Sequence, residues 1–283
     1  MISIITPYRN ARRFLPGLTA TLQAQTHRDW ECLLVDHGSS DGGGSLAADL
    51  VANDLRFRRL ELPAPSGGPA LPRNLALEQR RGQWLCFLDV DDRWHPQKLE
   101  RQLAFHLRHN LDLSVTAYGR CGAGAADRLT LRVPPSNMPL KRLQLSNEVP
   151  MLTVMLRSSL LEQRTGQPPL RFQGCRHEDY GLWLRLWRQQ PLLRYGCLPE
   201  LLAIHLRHGS NLTAQRTHML SWLYQLHRAD GRRPLQAAGL SLRTAAFQLG
   251  RTALNQLGWR RLALTAQQAL DPSFVPAQGW GWQ

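Results

Sequence analysis

The chain has 283 residues, 43% of them hydrophobic, and a formal net charge of +14. That length and apolar content suit one large domain, or one domain with an extension, and exclude a disordered chain. The positive charge is almost all arginine, Lys98 and Lys141 being the only lysines. It either favours anionic partners or reflects an arginine-rich composition, and the absence of basic runs interleaved with aromatics argues against a nucleic-acid partner.

In chain order, "ISIIT" (2–6) is a short apolar strand ended by Pro7. The charges of "MISIITPYRNARRF" follow this run, the reverse of a secretory signal, and no stretch has the apolar length of a membrane span, so a cytoplasmic location is expected. "FLPGLTATLQAQ" (14–25) has helical spacing of Phe14, Leu18 and Leu22. "WECLLVD" (30–36) is a second strand, "SLAADLVAN" (45–53) a helix and "FRRLEL" (57–62) a third strand. "PALPRNLALEQ" (69–79) is a helix whose prolines belong near its first turn. "WLCFLD" (84–89) is a fourth strand. "HPQKLERQLAFHLRH" (95–109) is a helix with Pro96 near its first position and Leu99, Leu103 and Leu107 on one stripe. This alternation with continuous apolar strands predicts an α/β fold: a Rossmann-like, mostly parallel sheet with helices on both faces.

After Tyr118 the pattern loosens. "CGAGAADRLTLRVPPSNMP" (121–139) reads as a loop with a short strand, and "MLTVMLRSSLLEQ" (151–163) as strand then helix. "GCRHEDYGLWLRLWRQQ" (174–190) contains a helix with Leu182, Leu186 and the tryptophans inward. "LLAIHLRHGSNLT" (201–213) ends in a turn. From Ala214 the chain reads as helical and basic, finishing in a frayed "PAQGWGWQ". The organisation expected is a domain over 1–213, with halves 1–110 and 111–213, and a helical extension over 214–283. Cys32, Cys86, Cys121, Cys175 and Cys197 are scattered without a CxxC pair, which predicts free thiols.

In open parallel sheets, ligands bind beyond the carboxyl ends of the strands. The strand ends here are Thr6-Pro7-Tyr8, Asp36-His37-Gly38-Ser39 and Asp89-Val90-Asp91-Asp92, three polar clusters on one edge. Three carboxylates within four positions repel and raise one another's pKa. A hard cation that keeps positions open for phosphate oxygens would relieve this, which suits Mg²⁺ or Mn²⁺ better than zinc because no His or Cys cluster is near. The other reading is a solvated acidic turn in which Asp92 caps the helix that follows. Asp36 can accept from a base N–H or a ribose hydroxyl, and Asp41 can cap the next helix. Gly67 and Gly68 give a flexible loop before a helix start that carries Arg73, a favourable place for phosphate, or simply a loop with a surface arginine. Asn74 reads as a structural tie. Glu178 and Asp179 suit a helix first turn electrostatically, and either could serve as a general base. His205 and His208 are surface histidines, or His208 is a ligand of diphosphate or metal.

These segments, in this order, resemble family 2 glycosyltransferases of the GT-A fold from Ile2 to about Thr213. The residues that carry the likeness are "TPYRN", "QTHRDWECLLVDHGSSD", "GGPALPRNLALEQRRGQWLCFLDVDDRWHPQKLE" and "EDYGLWLRL". The resemblance implies inverting transfer from a nucleotide-sugar donor to a saccharide or lipid-linked saccharide acceptor, in the assembly of cell-surface polysaccharide or glycolipid. It implies a donor site of Pro7, Tyr8, Asp36, His37, Gly67, Arg73, Asp89 and Asp92. Asp91, with Asp89 and His208, would hold the metal, and Asp179 or Glu178 would be the base. His37 stands where the family usually has a second Asp. Competing expectations are a nucleotidyltransferase, which would carry a Gly-rich basic loop where this chain has "TPYRNARR", and a degenerate binder of nucleotides or polyanions that does not catalyse. The basic C-terminal helices either dock on an anionic membrane at its inner face or pack on the catalytic domain.

Overall fold

A computed structural model describes residues 1–122, 128–163, 166–174, 177–207, 219–229, 231–258 and 260–273. The first elements are β1 (Ile2–Tyr8), α1 (Leu15–Gln23), β2 (Trp30–Asp36), α2 (Gly43–Asn53), β3 (Phe57–Glu61), α3 (Ala70–Gln79) and β4 (Trp84–Phe87), the alternation read from the sequence. β1 lies between β2 and β4, and β3 flanks β2, all in parallel. Every residue of β1 and β2 is buried, which is why they read as unbroken apolar runs. Alternate side chains leave by opposite faces. Ile2 and Ile4 pack with Leu15, Leu18 and Leu22 of α1, whereas Ile5 joins Leu77 of α3 and Trp183 on the other face. β1 continues through Pro7 to Tyr8, past the end expected at Thr6. Its pairing with β4 stops at Ile5, so Pro7 sits where no β4 partner needs the N–H it lacks.

The chain continues with β5 (Arg93–Trp94), α4 (Lys98–Arg108), β6 (Leu113–Gly122), β7 (Arg128–Arg132), α5 (Leu140–Leu143), β8 (Met155–Arg157), α6 (Glu178–Gln189), β9 (Tyr195–Arg207), α7 (Met219–Ala229), α8 (Pro234–Gly258), β10 (Arg260–Thr265) and α9 (Ala266–Ala269). β8 enters antiparallel between β4 and β6 and ends the parallel run. β9 lies parallel to β6 and antiparallel to β5, which fastens Arg93 and Trp94 to Ile204 and Ala203. The acidic segment between β4 and β5 is therefore anchored at both ends.

Four expectations are corrected. α4 starts at Lys98, so Pro96 precedes it, and Gln97 rather than Asp92 is its N-cap. Its buried face is Lys98, Leu99, Gln102 and His106; Leu103 packs partly buried against the core as expected, but Leu107 is 55% exposed, so the leucine stripe stops short of it. The helix covers backbone that needs partners: Gln102 Nε2 donates to Ser114 O at 3.2 Å and Thr153 O at 2.8 Å. Residues 151–163 form β8 flanked by two short 3-10 turns, Met151–Thr153 and Ser158–Leu161, not a strand and a full helix. The C-terminal region is not all helix, because β10 pairs antiparallel with β7.

Leu223 and Leu226 of α7 and Ala245 of α8 join the core cluster around Trp183. Cys32, Cys86, Cys121 and Cys197 are buried free thiols. Cys175, the boundary at Thr213 and "PAQGWGWQ" lie outside the described residues.

Candidate active site

The loops after β1 and β2 are stitched together at the carboxyl edge of the sheet. Asn10 Oδ1 accepts from Ser40 N–H at 2.8 Å, and Asn10 N–H donates to Ser39 Oγ at 3.0 Å. Asp41 accepts from Arg12 N–H at 2.8 Å and from Gly43 N–H, in the first turn of α2, at 2.9 Å. It serves the architecture, but the N-cap of α2 is Gly42, so Asp41 braces the approach to the helix rather than capping it. Pro7, Tyr8 and Asp36 form the floor. Pro7 lies inside β1, Tyr8 is buried with its hydroxyl making no hydrogen bond, and buried Asp36 accepts from Ser39 N–H at 2.9 Å. Burial, and then the nearby Asp36 carboxylate, push the Tyr8 phenol above its usual range. His37 lies partly exposed above this floor, with Nδ1 3.4 Å from Ser66 Oγ. Burial, and then the charge of Arg9, push its pKa down, so the ring is neutral at physiological pH. Gly67 lies in the left-handed region at φ +74°, with open space where a Cβ would be.

The acidic run after β4 divides by environment. Asp89, 44% exposed, accepts from Arg73 Nη2 at 2.7 Å. Arg73 is only 4% exposed, and its Nη1 donates to Glu178 Oε1. One planar guanidinium therefore spans from the end of β4 to the first turn of α6, geometry to which a fork of donors is suited. Asp91 is partly exposed beside it. Asp92 is buried, its Oδ1 lying 2.9 Å from His205 Nδ1 and accepting from Leu206 N–H at 3.3 Å. Burial pushes Asp92 up to about 6, against the His205 interaction. Burial alone would lower His205, but its hydrogen bond to Asp92 together with the charges of Asp92 and Asp91 raises it overall. His205 is thus a fastener between β9 and the acidic loop, not a surface histidine, and Asp92 is occupied within the protein rather than turned toward a donor.

At the start of α6, His177 takes a left-handed conformation at φ +62°, and Glu178 and Asp179 follow in the helix's first turn. Burial raises the Glu178 pKa, Arg73 opposes this and Asp179 adds to it. Asp179 Oδ2 accepts from Asn147 Nδ2 at 2.9 Å. Among the described residues its Oδ1 takes no hydrogen bond. Asn74 is the structural tie expected, although it ties a loop: it donates to Phe172 O and accepts from Phe172 N–H, each at 2.8 Å, and so docks the chain before α6 on α3.

Arg73, Asp89, Glu178 and Asp179 are thereby brought together, with His37 on the neighbouring loop. His208 lies outside the described residues. Asn147 carried no sequence signal, because its partner lies 32 positions away. Among the described residues, no three His, Cys, Asp or Glu side chains converge to cage a metal unaided. The two partly exposed carboxylates of this run, Asp89 and Asp91, are hard oxygen donors. One or two such carboxylates fit Mg²⁺ or Mn²⁺ whose other ligands are phosphate oxygens and water.

Residues 3–161 match glycosyl transferase family 2. The putative teichuronic acid biosynthesis glycosyltransferase TuaG of Bacillus subtilis is 30% identical over 217 residues, 75% of this chain and 82% of that one. The UDP-Glc:alpha-D-GlcNAc-diphosphoundecaprenol beta-1,3-glucosyltransferase WfgD of Escherichia coli is 29% identical over 197 residues, 70% of this chain and 74% of that one. Among solved structures, S. aureus TarS 1–349 in complex with UDP-GlcNAc aligns with a TM-score of 0.67 at 20% identity, over 90% of this chain and 75% of that one. Mannosyltransferase PcManGT from Pyrobaculum calidifontis, in complex with GDP-Man and Mn²⁺, aligns with a TM-score of 0.60 at 16% identity, over 89% and 75%. At these identities the structural likeness establishes the fold, GT-A, as expected from the sequence.

Proposed function

Because the chain belongs to glycosyl transferase family 2, we propose that it performs inverting transfer from a nucleoside-diphosphate sugar to a hydroxyl of a saccharide or lipid-linked saccharide, in the assembly of cell-surface polysaccharide. The observation that carries this reading is the Arg73 fork, which sets the strand-end Asp89 and the acidic first turn of α6 on either side of one guanidinium. Donor and acceptor chemistry then fall within one crevice. The relatives named for teichuronic acid biosynthesis and for a diphosphoundecaprenol-linked acceptor support the surface-polysaccharide setting.

Asp179 is the base. Among the described residues its Oδ1 takes no hydrogen bond, whereas Glu178 is the counterion of buried Arg73. Asp179 takes the proton of the acceptor hydroxyl, whose oxygen attacks the anomeric carbon from the face opposite the diphosphate. The bond from that carbon to the diphosphate oxygen breaks, and its electron pair leaves with the diphosphate. Arg73 orients Asp89 and keeps the two ends of the crevice in register. Asp91 and Asp89 would hold Mg²⁺ or Mn²⁺, which when bound neutralises charge on the departing diphosphate. The Mn²⁺ of the mannosyltransferase complex supports this choice.

The test is a nucleotide-sugar panel with Mn²⁺, read by donor hydrolysis and by Tm. Asp179→Asn is expected to keep donor-induced stabilisation and lose turnover about 10²–10⁴-fold. Asp91→Ala is expected to lose the metal-dependent stabilisation. Wild-type turnover in Asp179→Asn rejects the base assignment. If no nucleotide-sugar or metal moves the Tm, the transferase reading falls.

No helix among the described residues is long and apolar enough to cross a membrane. Leu220, Tyr224, Leu235 and Leu242 of α7 and α8 are exposed, and Arg228, Arg233 and Arg243 are exposed beside them. That pairing of apolar and cationic side chains fits an anionic lipid surface, where a lipid-linked acceptor resides. Binding to phosphatidylglycerol vesicles should fall at least tenfold in Leu235→Ser/Leu242→Ser/Arg243→Ser. Unchanged binding rejects the lipid surface.

A further inference from the structure

The segment from the end of α5 to Val149 is tied to the start of α6 at two consecutive residues. Asn147 Nδ2 donates to Asp179 Oδ2 at 2.9 Å, and the Tyr180 hydroxyl donates to Leu143 O at 2.7 Å. The segment is itself held from several sides. Glu148, with a side chain 4% exposed, accepts from Arg142 Nε at 2.8 Å and lies 3.8 Å from Arg132 Nη2 of β7. Val149 is buried in the core cluster around Trp183, and Thr244 Oγ1 of α8 donates to Gln144 O at 3.2 Å. The Asn147 amide can face only one way. Its Oδ1 accepts from the N–H of Val149, two residues on, at 3.3 Å, a turn that asparagine favours. A flipped amide would set Nδ2 against the Val149 N–H, donor against donor. It would also turn Oδ1 toward the Asp179 carboxylate, which when ionised only accepts.

We infer that Asn147 is a positioning residue for the transfer: it acts through Asp179, whose carboxylate it holds by Oδ2 so that Oδ1 is presented to the acceptor hydroxyl. This rests on the assignment of Asp179 as the base and adds to it what aims that base. The last torsion of an aspartate is broad and selects no plane by itself, so a hydrogen bond at one oxygen decides where the other points. Among the described residues Asn147 is the only side chain that hydrogen-bonds Asp179. Arg73 does not do this, because its Nη1 and Nη2 go to Glu178 and Asp89. A general base works only within hydrogen-bond reach of the proton it takes, and is commonly oriented by a further group behind it. Asn147 fills that place with a neutral donor on a segment that β7, α5, α6 and α8 hold still.

The experiment measures kcat and KM of the full chain for hydrolysis of UDP-glucose, UDP-GlcNAc and GDP-mannose with Mn²⁺, with water standing in for the acceptor, and the Tm of each variant. It uses wild type, Asn147→Ala, Asn147→Asp, Asp179→Asn and Asn147→Ala/Asp179→Asn. Asn147→Ala should lower kcat about 10–100-fold and leave KM for the donor within about threefold. Asn147→Asp keeps an acceptor for the Val149 N–H and so should hold its Tm, yet when ionised it cannot donate, and its kcat should fall at least as far. In the Asp179→Asn background, Asn147→Ala should lower the residual kcat by no more than about twofold, because the group it acts through is gone. A residue that merely braced its loop would cost the same factor in both backgrounds, and that result overturns the inference. Wild-type kcat in Asn147→Ala, or in a folded Asn147→Asp, also overturns it. If Asp179→Asn loses turnover in the same assay, the base assignment stands without Asn147. The Asn147→Asp arm decides alone if Asn147→Ala does not fold. Wild-type turnover in Asp179→Asn removes the base assignment and this inference together. If wild type hydrolyses none of the three, the transferase reading falls and takes the inference with it.

Discussion

Arg73 carries two ion pairs on one nearly inaccessible guanidinium, so its removal should be costly. Removing one member of a buried pair leaves an uncompensated charge and costs about 3–5 kcal/mol. Most of that falls on Glu178, since Asp89 is nearly half exposed and screened by water. Arg73→Met should therefore lower unfolding stability by about 3 kcal/mol in denaturant titration, and Arg73→Met/Glu178→Gln should recover part of the loss. Arg73→Lys should fold but cannot reach both carboxylates at once, so its turnover should fall while its stability changes less. An Arg73→Met midpoint equal to wild type would remove the ion pair from the architecture. Glu178 and Asp179 were legible in the sequence as an acidic helix start, but their division of labour was not. It depends on Arg73, 105 positions before Glu178, and on Asn147.

At the scale of elements, α4 shows a limit of periodicity. Leu99, Leu103 and Leu107 are spaced for an apolar stripe, yet Leu107 is exposed and the helix buries Lys98, Gln102 and His106 beside Leu99. Lys98 Nζ donates to Gln102 Oε1 at 2.7 Å and lies 4.0 Å from the Trp94 ring centroid. His106 Nδ1 lies 3.1 Å from Ser114 Oγ. Burial, with Arg157 adding to it, pushes His106 down to about 4. The unfolded chain, with an ordinary histidine pKa of about 6.5, then binds more protons than the folded one between those values. Stability should fall as pH drops from about 6.5 to 4, by up to roughly 3 kcal/mol, and His106→Gln should flatten that limb.

Burial pushes Lys98 down to about 8. Between that value and its ordinary pKa near 10.4, the unfolded chain again holds the extra proton, so this group adds stability as pH rises. Buried Cys86, pushed up to about 11, acts in the opposite sense over an overlapping range. The difference between wild type and Lys98→Met isolates the lysine: the variant should gain relative stability near pH 7 and lose that advantage by about pH 10. A Lys98→Met difference independent of pH would show the ammonium bears no burial penalty.

At the scale of the molecule, the C-terminal helices are part of the fold. Leu223, Leu226 and Ala245 enter the core, and Leu226 Cδ1 lies 3.0 Å from where a Cβ on Gly181 of α6 would be. The Trp222 and His177 ring centroids are 5.7 Å apart, next to the acidic turn, and Thr244 Oγ1 donates to Gln144 O at 3.2 Å in the segment leading to Asn147. A chain ended at Thr213 should lose about 3–6 kcal/mol of apolar burial, with Tm lower by roughly 10 °C and donor turnover reduced. An unchanged Tm would make these helices an appendage. This is why the lipid surface proposed on them is better tested by outward-facing substitutions than by deletion.

Strand composition and the order of motifs were enough to identify the parallel sheet, its ligand-binding edge and the family, because a strand buried on both faces must be apolar throughout and ligand groups collect where such strands end. The folded chain was needed to separate Asp92, fastened to His205, from Asp89 and Asp91, and to pair Arg73 with Glu178. It was needed equally to place Ser66 against His37 and β10 against β7. Each of these joins residues 29 or more positions apart, and whether a side chain becomes a fastener or faces the crevice depends on the partner that packing brings to it. Local spacing carries no information about that partner.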